Sequence, residues 1–216
     1  MRISLIGTFH AESGRANSAE LRAILERLRP DAIFAEIPTA NLAGYLDGSH
    51  GSLESVAVAH YRKRCPIEVV PVDLNKPNEG FFSESEEMFR KVERTSSEYR
   101  LLIDQNKRDT RDYGFPYLNS DRCVQAWMDI YDEMRATVEW IGDERLQRIY
   151  VLWNEVNDRR ETRMLENINR YCSYCALSHG VFLIGAAHRK AIVEKVQEQL
   201  GVAAPRVLWH IEGFLD

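Results

Sequence analysis

The sequence predicts an α/β protein whose mainly parallel sheet is built from two repeated strand–helix–strand halves. Two short apolar runs, at 3–6 and 181–184, are each followed by a glycine, two further residues, a histidine and a helical pattern. Short apolar runs bounded by glycine are typical of strands buried in a parallel sheet. The charged middle of the chain, roughly 75–160, differs from both ends and predicts a central helical insertion. We therefore expect one domain that spans residues 1–216.

The two histidines belong to matching Gly-x-x-His segments, from Gly7 to His10 and from Gly185 to His188. We expect each glycine to let the chain turn sharply as it leaves its strand. Each histidine then lies just beyond the carboxyl end of a strand, the edge at which open α/β sheets bind ligands. One such histidine alone can simply cap a helix or bond to a loop carbonyl. Two copies in the same context favour one site that both histidines share.

Two carboxylates are predicted at the same edge of the sheet. Glu36 lies at the end of the apolar run 32–37, which follows an amphipathic helix. A carboxylate there needs a partner, which can be an arginine in a salt bridge or, beside His10, a metal ion or a substrate proton. Its position favours the functional role. Asp73 ends the third predicted strand, 67–73, and is either a further carboxylate of the site or the cap of the following helix.

The pattern between the two halves is mostly helical. Residues 75–112 are charged and irregular, which favours solvated helices and leaves a lid or an interface as alternatives. A long helix is expected at 120–142, and a second one directly after it. The apolar stripes of these helices predict core or helix–helix contacts rather than a cofactor site. In the second helix Arg160 lies four residues from both Val156 and Met164, so we expect it on the inward face.

Two further motifs are not assigned to the site. The last predicted strand, 207–211, is followed by Glu212, whose spacing from the preceding proline differs by one residue from that of Glu36. An offset of one residue in a strand reverses the face of the sheet. Cys172 and Cys175 have the spacing of half a zinc site, but no second pair completes it, so we expect free thiols.

Composition and charge exclude several classes of protein. The chain has 216 residues, of which 44% are hydrophobic and 28% charged, and its net charge is -5. These values are ordinary for a globular protein and give no electrostatic argument for binding nucleic acid or an anionic membrane. No apolar run approaches the ~20 residues that cross a bilayer, and the first residues enter a strand without a signal-peptide pattern. We expect a cytoplasmic protein that binds neither nucleic acid nor a membrane.

Together these motifs resemble those of the TraB/PrgY/Tiki family, which is grouped with the erythromycin esterase-like and ChaN-like proteins. The family pattern is a Gly-x-x-His near the N-terminus, a strand that ends in Glu, a Glu-Arg-Asn/Asp-x-x-Met helix and a second Gly-x-x-His. Arg160 and Met164 match the helix motif, whereas Arg159 and Glu161 depart from it. Asp73 matches a Val-Asp-Arg stretch that here lacks its arginine. The resemblance covers the two ends of the chain.

The resemblance implies an α/β core of two repeated halves and a divalent metal ion, either Mn, Co or Zn. Tiki-type members are described as metal-dependent peptidases, and PrgY-type members act against peptide pheromones. The implied ligands are His10, His188 and Glu36, since two imidazoles and a carboxylate form a common metal-binding set. Gly7 and Gly185, at the ends of their strands, are expected to adjoin this cofactor.

The expected function is that of a metal-dependent hydrolase, in particular a peptidase, with a peptide or small-molecule substrate and the capacity to form a homo-oligomer. Arg160 would hold a substrate carboxylate or stabilise the oxyanion, and Glu161 or Asp73 would take the proton. One alternative is an esterase of the erythromycin esterase type, in which His10 acts as the base without metal. The other is a non-catalytic protein that binds a peptide or haem.

Overall fold

Five parallel strands form one sheet in the computed structural model, which describes residues 1–74, 79–176, 178–200 and 207–211. The strands lie in the order β3-β2-β4-β1-β5. Their bounds are Arg2–Thr8 for β1, Ala32–Ala35 for β2, Glu68–Pro71 for β3, His179–Gly185 for β4 and Leu208–His210 for β5. The predicted α/β class and parallel sheet are therefore confirmed. Glu212 lies outside the described residues.

The two long strands, β1 and β4, pair along their whole length, from Arg2 opposite His179 to Thr8 opposite Gly185. From β1 the chain continues to β2 on the far side of β4, whereas from β4 it continues to β5 on the far side of β1. Adjacent strands whose connections leave in opposite directions open a crevice at their carboxyl ends. The residues that follow Thr8 and Gly185 therefore enter the same crevice.

Helices cover both faces of the sheet. One face carries α1 (Ser18–Leu28), α2 (Leu42–Asp47) and α3 (Leu53–Arg62), and the other carries α9 (Arg189–Leu200) and the end of α8 (Glu144–Tyr174). Strand side chains alternate between the two faces, so that Leu183 packs with the first group while Phe182 and Ile184 pack with the second. Burial on both faces explains why these strands are continuous apolar runs. Of the described helices, none combines the length and the apolar composition that crossing a membrane requires.

The other helices form an insertion beside the sheet, and their bounds are Glu79–Thr95 for α4, Ser97–Tyr113 for α5, Phe115–Leu118 for α6 and Asp121–Ile141 for α7. With the first half of α8, the helices α4, α5 and α7 enclose a hydrophobic cluster of their own, which includes Met88, Met134 and Ile149, whereas α6 packs against the sheet. The expected boundary near residue 160 falls inside α8, because this helix continues without interruption from the insertion onto the sheet.

The four cysteines are free thiols, as the sequence predicts. Cys172 lies near the end of α8, where burial raises the pKa of its thiol to about 11. A raised pKa keeps a thiol protonated and weakly nucleophilic. Cys172 is therefore a weak nucleophile.

Gly7 lies inside β1 rather than at a turn, so the expectation that it ends the strand is wrong. A Cβ atom at this position would lie 2.7 Å from the carbonyl oxygen of Leu118, and only glycine lets α6 approach the strand so closely. The side chain of Asn119, just after α6, accepts a hydrogen bond from the N–H of Gly7 at 2.7 Å and donates one to its carbonyl at 3.1 Å. The glycine is therefore required by close packing.

We expect Gly7→Ala to lower the free energy of unfolding, because the added methyl group would push α6 away from β1 and weaken both hydrogen bonds with Asn119. Overpacking of this kind costs about 1–3 kcal/mol. Chemical denaturation measures the difference. Gly44→Ala in α2 is the control: its Cβ would first meet a side-chain atom, the Ser49 hydroxyl, at 3.2 Å, and alanine is favoured in helices. Equal stabilities of Gly7→Ala and the wild type would show that α6 is not held this way.

Candidate functional site

A cavity of about 390 Å³ opens at the carboxyl ends of the central strands. Its polar residues include Thr8, His10, Glu36, Glu54, Asp73 and Arg160, and its apolar residues include Tyr45, Val156 and Leu183. They come from β1, from β4, from the segments after β1, β2 and β3, and from α2, α3 and α8. Segments far apart in the sequence therefore meet at the crevice between β1 and β4.

Glu36 lies one residue beyond β2, and its side chain is only 6% exposed. One carboxylate oxygen accepts a hydrogen bond from the N–H of Gly185 at 2.7 Å, and the other accepts one from Arg160 at 2.8 Å. The second oxygen also lies 3.5 Å from Nε2 of His188. The salt bridge with an arginine is thus present, and the same carboxylate lies beside a predicted site histidine.

Arg160 lies on the inward face of α8, as the helical period predicts. Its guanidinium donates to Asp73 through Nε at 3.2 Å and through Nη2 at 2.8 Å, in addition to its bond with Glu36. Its Nη1 donates to the side-chain oxygen of Asn157 at 3.3 Å. Asp73 is 7% exposed, so one guanidinium serves two almost fully buried carboxylates. Asp73 lines the cavity.

His10 pairs with Glu54, a residue that sequence reasoning missed. Nδ1 of His10 lies 3.0 Å from Oε1 of Glu54, which also accepts a hydrogen bond from Thr8 at 2.5 Å. Glu54 is 6% exposed, whereas the side chain of His10 is 65% exposed. The sequence shows only an acid in the first turn of a helix that Ser52 caps, and this pattern does not indicate a histidine partner.

His188 forms the same kind of pair on the other side of Glu36. It ends a short 3₁₀ turn after β4, and its Nδ1 lies 2.8 Å from Oε1 of Glu161. Glu161 is 8% exposed and lies 3.9 Å from the ammonium of Lys195. Both histidines are therefore held through Nδ1 by a buried carboxylate, which leaves Nε2 of each ring for other contacts.

Gly185 lets His10 come close to Glu36. A Cβ atom at Gly185 would lie 3.3 Å from Nε2 of His10 and 3.5 Å from Oε2 of Glu36. The φ of Gly185 is -54°, so no turn requires glycine here, and an added methyl group would displace the His10 ring by a few tenths of an ångström. The N–H groups of both glycines bond to side chains of the protein, Asn119 and Glu36.

The two histidines flank Glu36 but face neighbouring cavities. His10 lines the cavity described above, while His188 and Glu161 line a second one of about 320 Å³. Asn157 lines both cavities. The structure therefore brings all the predicted site residues to one edge of the sheet, in two adjoining compartments.

The His10–Glu54 pair is ionised at neutral pH. The hydrogen bond to Glu54 raises the pKa of His10 to about 9, although burial acts in the opposite direction. Burial also opposes the charge of Glu54, but the hydrogen bonds from His10 and Thr8 hold the pKa of this carboxyl below its ordinary value. Below pH 9, His10 is therefore an imidazolium that can donate a proton into the cavity.

The expected metal ligands lie close together but do not form a metal site as they are arranged. Both oxygens of Glu36 already bond to the protein, and the guanidinium of Arg160 lies 2.8 Å from the oxygen that faces His188. A cation at that oxygen would be repelled by the guanidinium. Among the described residues, no three His, Cys, Asp or Glu side chains are arranged to hold a metal ion.

Comparisons with known proteins identify no similar protein. No protein-family model matches the chain, and neither the curated proteins nor the solved structures give a match. The resemblance to the TraB/PrgY/Tiki family therefore depends on the motifs alone.

Protonation of His10 should make the stability of the metal-free protein depend on pH. The folded state binds this proton more tightly than the unfolded chain, because the pKa is raised from 6.5 to about 9. The stabilisation is fully present below pH 6.5 and is lost as the pH rises through 9. We expect the melting temperature, measured in chelator, to fall over this interval in the wild type.

The same fall should be smaller in His10→Gln, which has no proton to lose at this position. His60→Gln, at an exposed position of α3, is the matched control and should behave like the wild type. Identical pH dependence in all three proteins would mean that the His10–Glu54 pair does not hold the proton.

Proposed function

We propose that this chain is a hydrolase of acyl bonds, with peptides as its substrates, in which the His10–Glu54 pair handles the proton of the attacking water. The observation that carries the proposal is the buried Glu54 carboxylate on Nδ1 of His10, with Nε2 left beside Glu36 at a cavity that also contains Arg160. A base that is itself oriented by a third group is the usual arrangement for proton transfer at an acyl centre.

In the proposed reaction, neutral His10 removes a proton from water at Nε2 as the oxygen attacks the carbonyl carbon. Glu54 stabilises the imidazolium that results, through the hydrogen bond to Nδ1. The imidazolium then gives its proton to the leaving atom, and the acyl bond breaks. Because the pKa of His10 is about 9, the neutral form that starts the cycle becomes abundant only in alkaline solution.

Arg160 is suited to the negative charge that develops in this reaction or is carried by the substrate. Its side chain is 23% exposed and lines the same cavity as His10. The bonds to Asp73 and Glu36 fix the plane of the guanidinium, so little reorganisation is needed when an oxyanion or a carboxylate arrives. Glu161 and Asp73, the proton acceptors expected from the sequence, are instead proposed to position His188 and Arg160.

Metal-dependent hydrolysis is the second candidate, and one observation favours it. Both imidazoles have Nδ1 on a buried carboxylate, which is how metal-binding histidines are usually held. The crevice also contains four carboxylates, Glu36, Glu54, Asp73 and Glu161, of which Arg160 contacts two. A divalent Mn, Co or Zn ion at His10, His188 and Glu36 would require Arg160 to move from Glu36.

The resemblance to the TraB/PrgY/Tiki family supports either form of hydrolase. It supports in addition the proposal that the sheet consists of two repeated halves, each of which contributes one Gly-x-x-His segment to the crevice. The order β2-β4-β1-β5 is compatible with this idea, because each half would then contribute alternate strands.

Turnover of a peptide library by the purified protein tests the proposal, and Glu54→Gln tests the mechanism. Without the carboxylate, the pKa of His10 should fall from about 9 toward 6.5, so the rising limb of kcat/KM should move to lower pH while the maximum rate declines. If Glu54 had a purely structural role, the rising limb of the pH profile of kcat/KM would stay at the same pH. Glu98→Gln, at an exposed position of α5, is the control.

Chelation separates the two candidates. Activity that survives dialysis against EDTA, in protein without bound metal by elemental analysis, supports the His10–Glu54 mechanism. Loss of activity on chelation and its return with Mn, Co or Zn would replace that mechanism with the metal-dependent one. Absence of turnover together with retained peptide binding, or a haem absorption band, would end the hydrolase proposal.

Arg160→Lys should lower kcat/KM on the order of 10²-fold, the effect of losing one preorganised donor to a developing oxyanion. A lysine keeps the charge but cannot contact Glu36, Asp73 and the substrate with one planar group. Arg163→Lys is the matched control, because Arg163 lies one turn away on the exposed side of α8 and contacts only Glu166 among the ion pairs of the described residues. Steady-state kinetics of both variants decide the point, and full activity of Arg160→Lys would remove Arg160 from the reaction.

A further inference from the structure

The second cavity, of about 320 Å³, lies between α7, α8 and the start of α9, directly beside His188. Its apolar wall contains three aromatic side chains, Trp127, Tyr131 and Trp153, together with Met128. Cavities that bind small organic groups usually measure ~300–1,000 Å³ and are lined mainly by apolar and aromatic side chains. The cavity therefore has the size and the lining of a binding pocket.

The aromatic wall is held firmly by its neighbours. The rings of Trp127 and Tyr131 are 5.5 Å apart, one turn from each other on α7, and the ring of Trp153 lies 5.5 Å from that of Tyr131. Phe89 supports Trp153 edge-on from α4 at 5.7 Å. All three wall residues pack against the hydrophobic cluster of the insertion and still line the cavity. A fixed aromatic wall can bind a flat or bulky apolar group at low entropic cost.

The charged groups at the rim pair with one another. Lys195 pairs with Asp158 and lies 3.9 Å from Glu161, and Lys190 pairs with Glu194 at 2.8 Å. Two lysines therefore face three carboxylates, and this surplus of negative charge disfavours a carboxylate ligand. The aromatic rings and Met128 favour an apolar group.

The cavity adjoins the proposed reaction site. His188 and Glu161 form part of its lining, and Nε2 of His188 lies 3.5 Å from Glu36. Asn157, which accepts a hydrogen bond from Arg160, lines this cavity and the one that contains His10. The aromatic cavity is therefore separated from Glu36 by the side chain of His188.

We propose that the aromatic cavity is a specificity pocket for a large apolar side chain of the substrate, such as that of Phe, Tyr, Trp or Leu, next to the bond that is cleaved. Only the position next to the cleaved bond rests on the proposed hydrolase function. The binding of a neutral apolar side chain follows from the cavity itself.

Binding without turnover tests the pocket. The probes are N-acetyl-phenylalaninamide, N-acetyl-leucinamide and N-acetyl-alaninamide, titrated into the intact protein with tryptophan fluorescence as the signal, because Trp127 and Trp153 line the cavity. We expect the phenylalanine probe to bind on the order of tenfold or more tightly than the alanine probe, from the burial of its ring.

Filling the pocket should abolish this preference. Ala191 lines the cavity from α9, so Ala191→Phe places a ring where the probe would lie. Ala136→Phe, an identical substitution at an exposed position of α7, should keep the preference. Met128→Ala, which enlarges the cavity, should shift the preference from the phenylalanine probe to a naphthylalanine probe, and it decides the matter if Ala191→Phe does not fold.

Equal binding of all three probes, or an unchanged preference in both cavity variants, would overturn the proposal. Its failure is distinct from failure of the hydrolase function. A preference that depends on Ala191 and Met128 in a protein that cleaves no peptide keeps the pocket and removes the reaction. Peptide cleavage without such a preference keeps the reaction and removes the pocket.

Discussion

The buried ion network of Glu36, Arg160 and Asp73 is the contact on which the geometry of the crevice depends. It joins the end of β2, the segment after β3 and helix α8, and the second oxygen of Glu36 holds the N–H of Gly185 at the end of β4. Removing charges from water costs several kcal/mol per ion, so such a network is stable only when the buried groups find partners. Without Arg160, two carboxylates that are 6% and 7% exposed would lose their counter-ion. The elements cannot shift independently.

The same network determines which carboxylates can pair with the two histidines. Arg160 is the shared counter-ion of Glu36 and Asp73, and the other two carboxylates, Glu54 and Glu161, pair with the imidazoles. A carboxylate on Nδ1 fixes the orientation of an imidazole ring and strengthens its hold on a proton. This explains why the pKa of His10 is raised to about 9. The protonation states of the crevice residues therefore depend on the ion pairs and not on the histidines alone.

Sequence reasoning located the strands and one edge of the sheet, because buried parallel strands are continuous apolar runs and because residues at strand ends share that edge. It placed Arg160 inward, since the helical period is a local property. It misjudged Gly7 and Gly185, whose neighbours, Leu118 and His10, come from other parts of the fold. It missed Glu54 for the same reason: nothing within α3 announces a histidine from another segment. Local periodicity could be predicted from the sequence, whereas contacts between distant segments could not.

Helix α8 connects the insertion to the crevice. It carries Trp153 of the aromatic wall and, two turns later, Arg160 and Glu161 of the charged crevice, all on one uninterrupted helix. Seven residues at 1.5 Å each separate Trp153 from Arg160 by roughly 10 Å along the axis. Three extended residues of a peptide span about the same length. A rigid helix therefore sets a fixed distance between the aromatic cavity and the charged crevice, and that distance is consistent with the proposed peptide substrate.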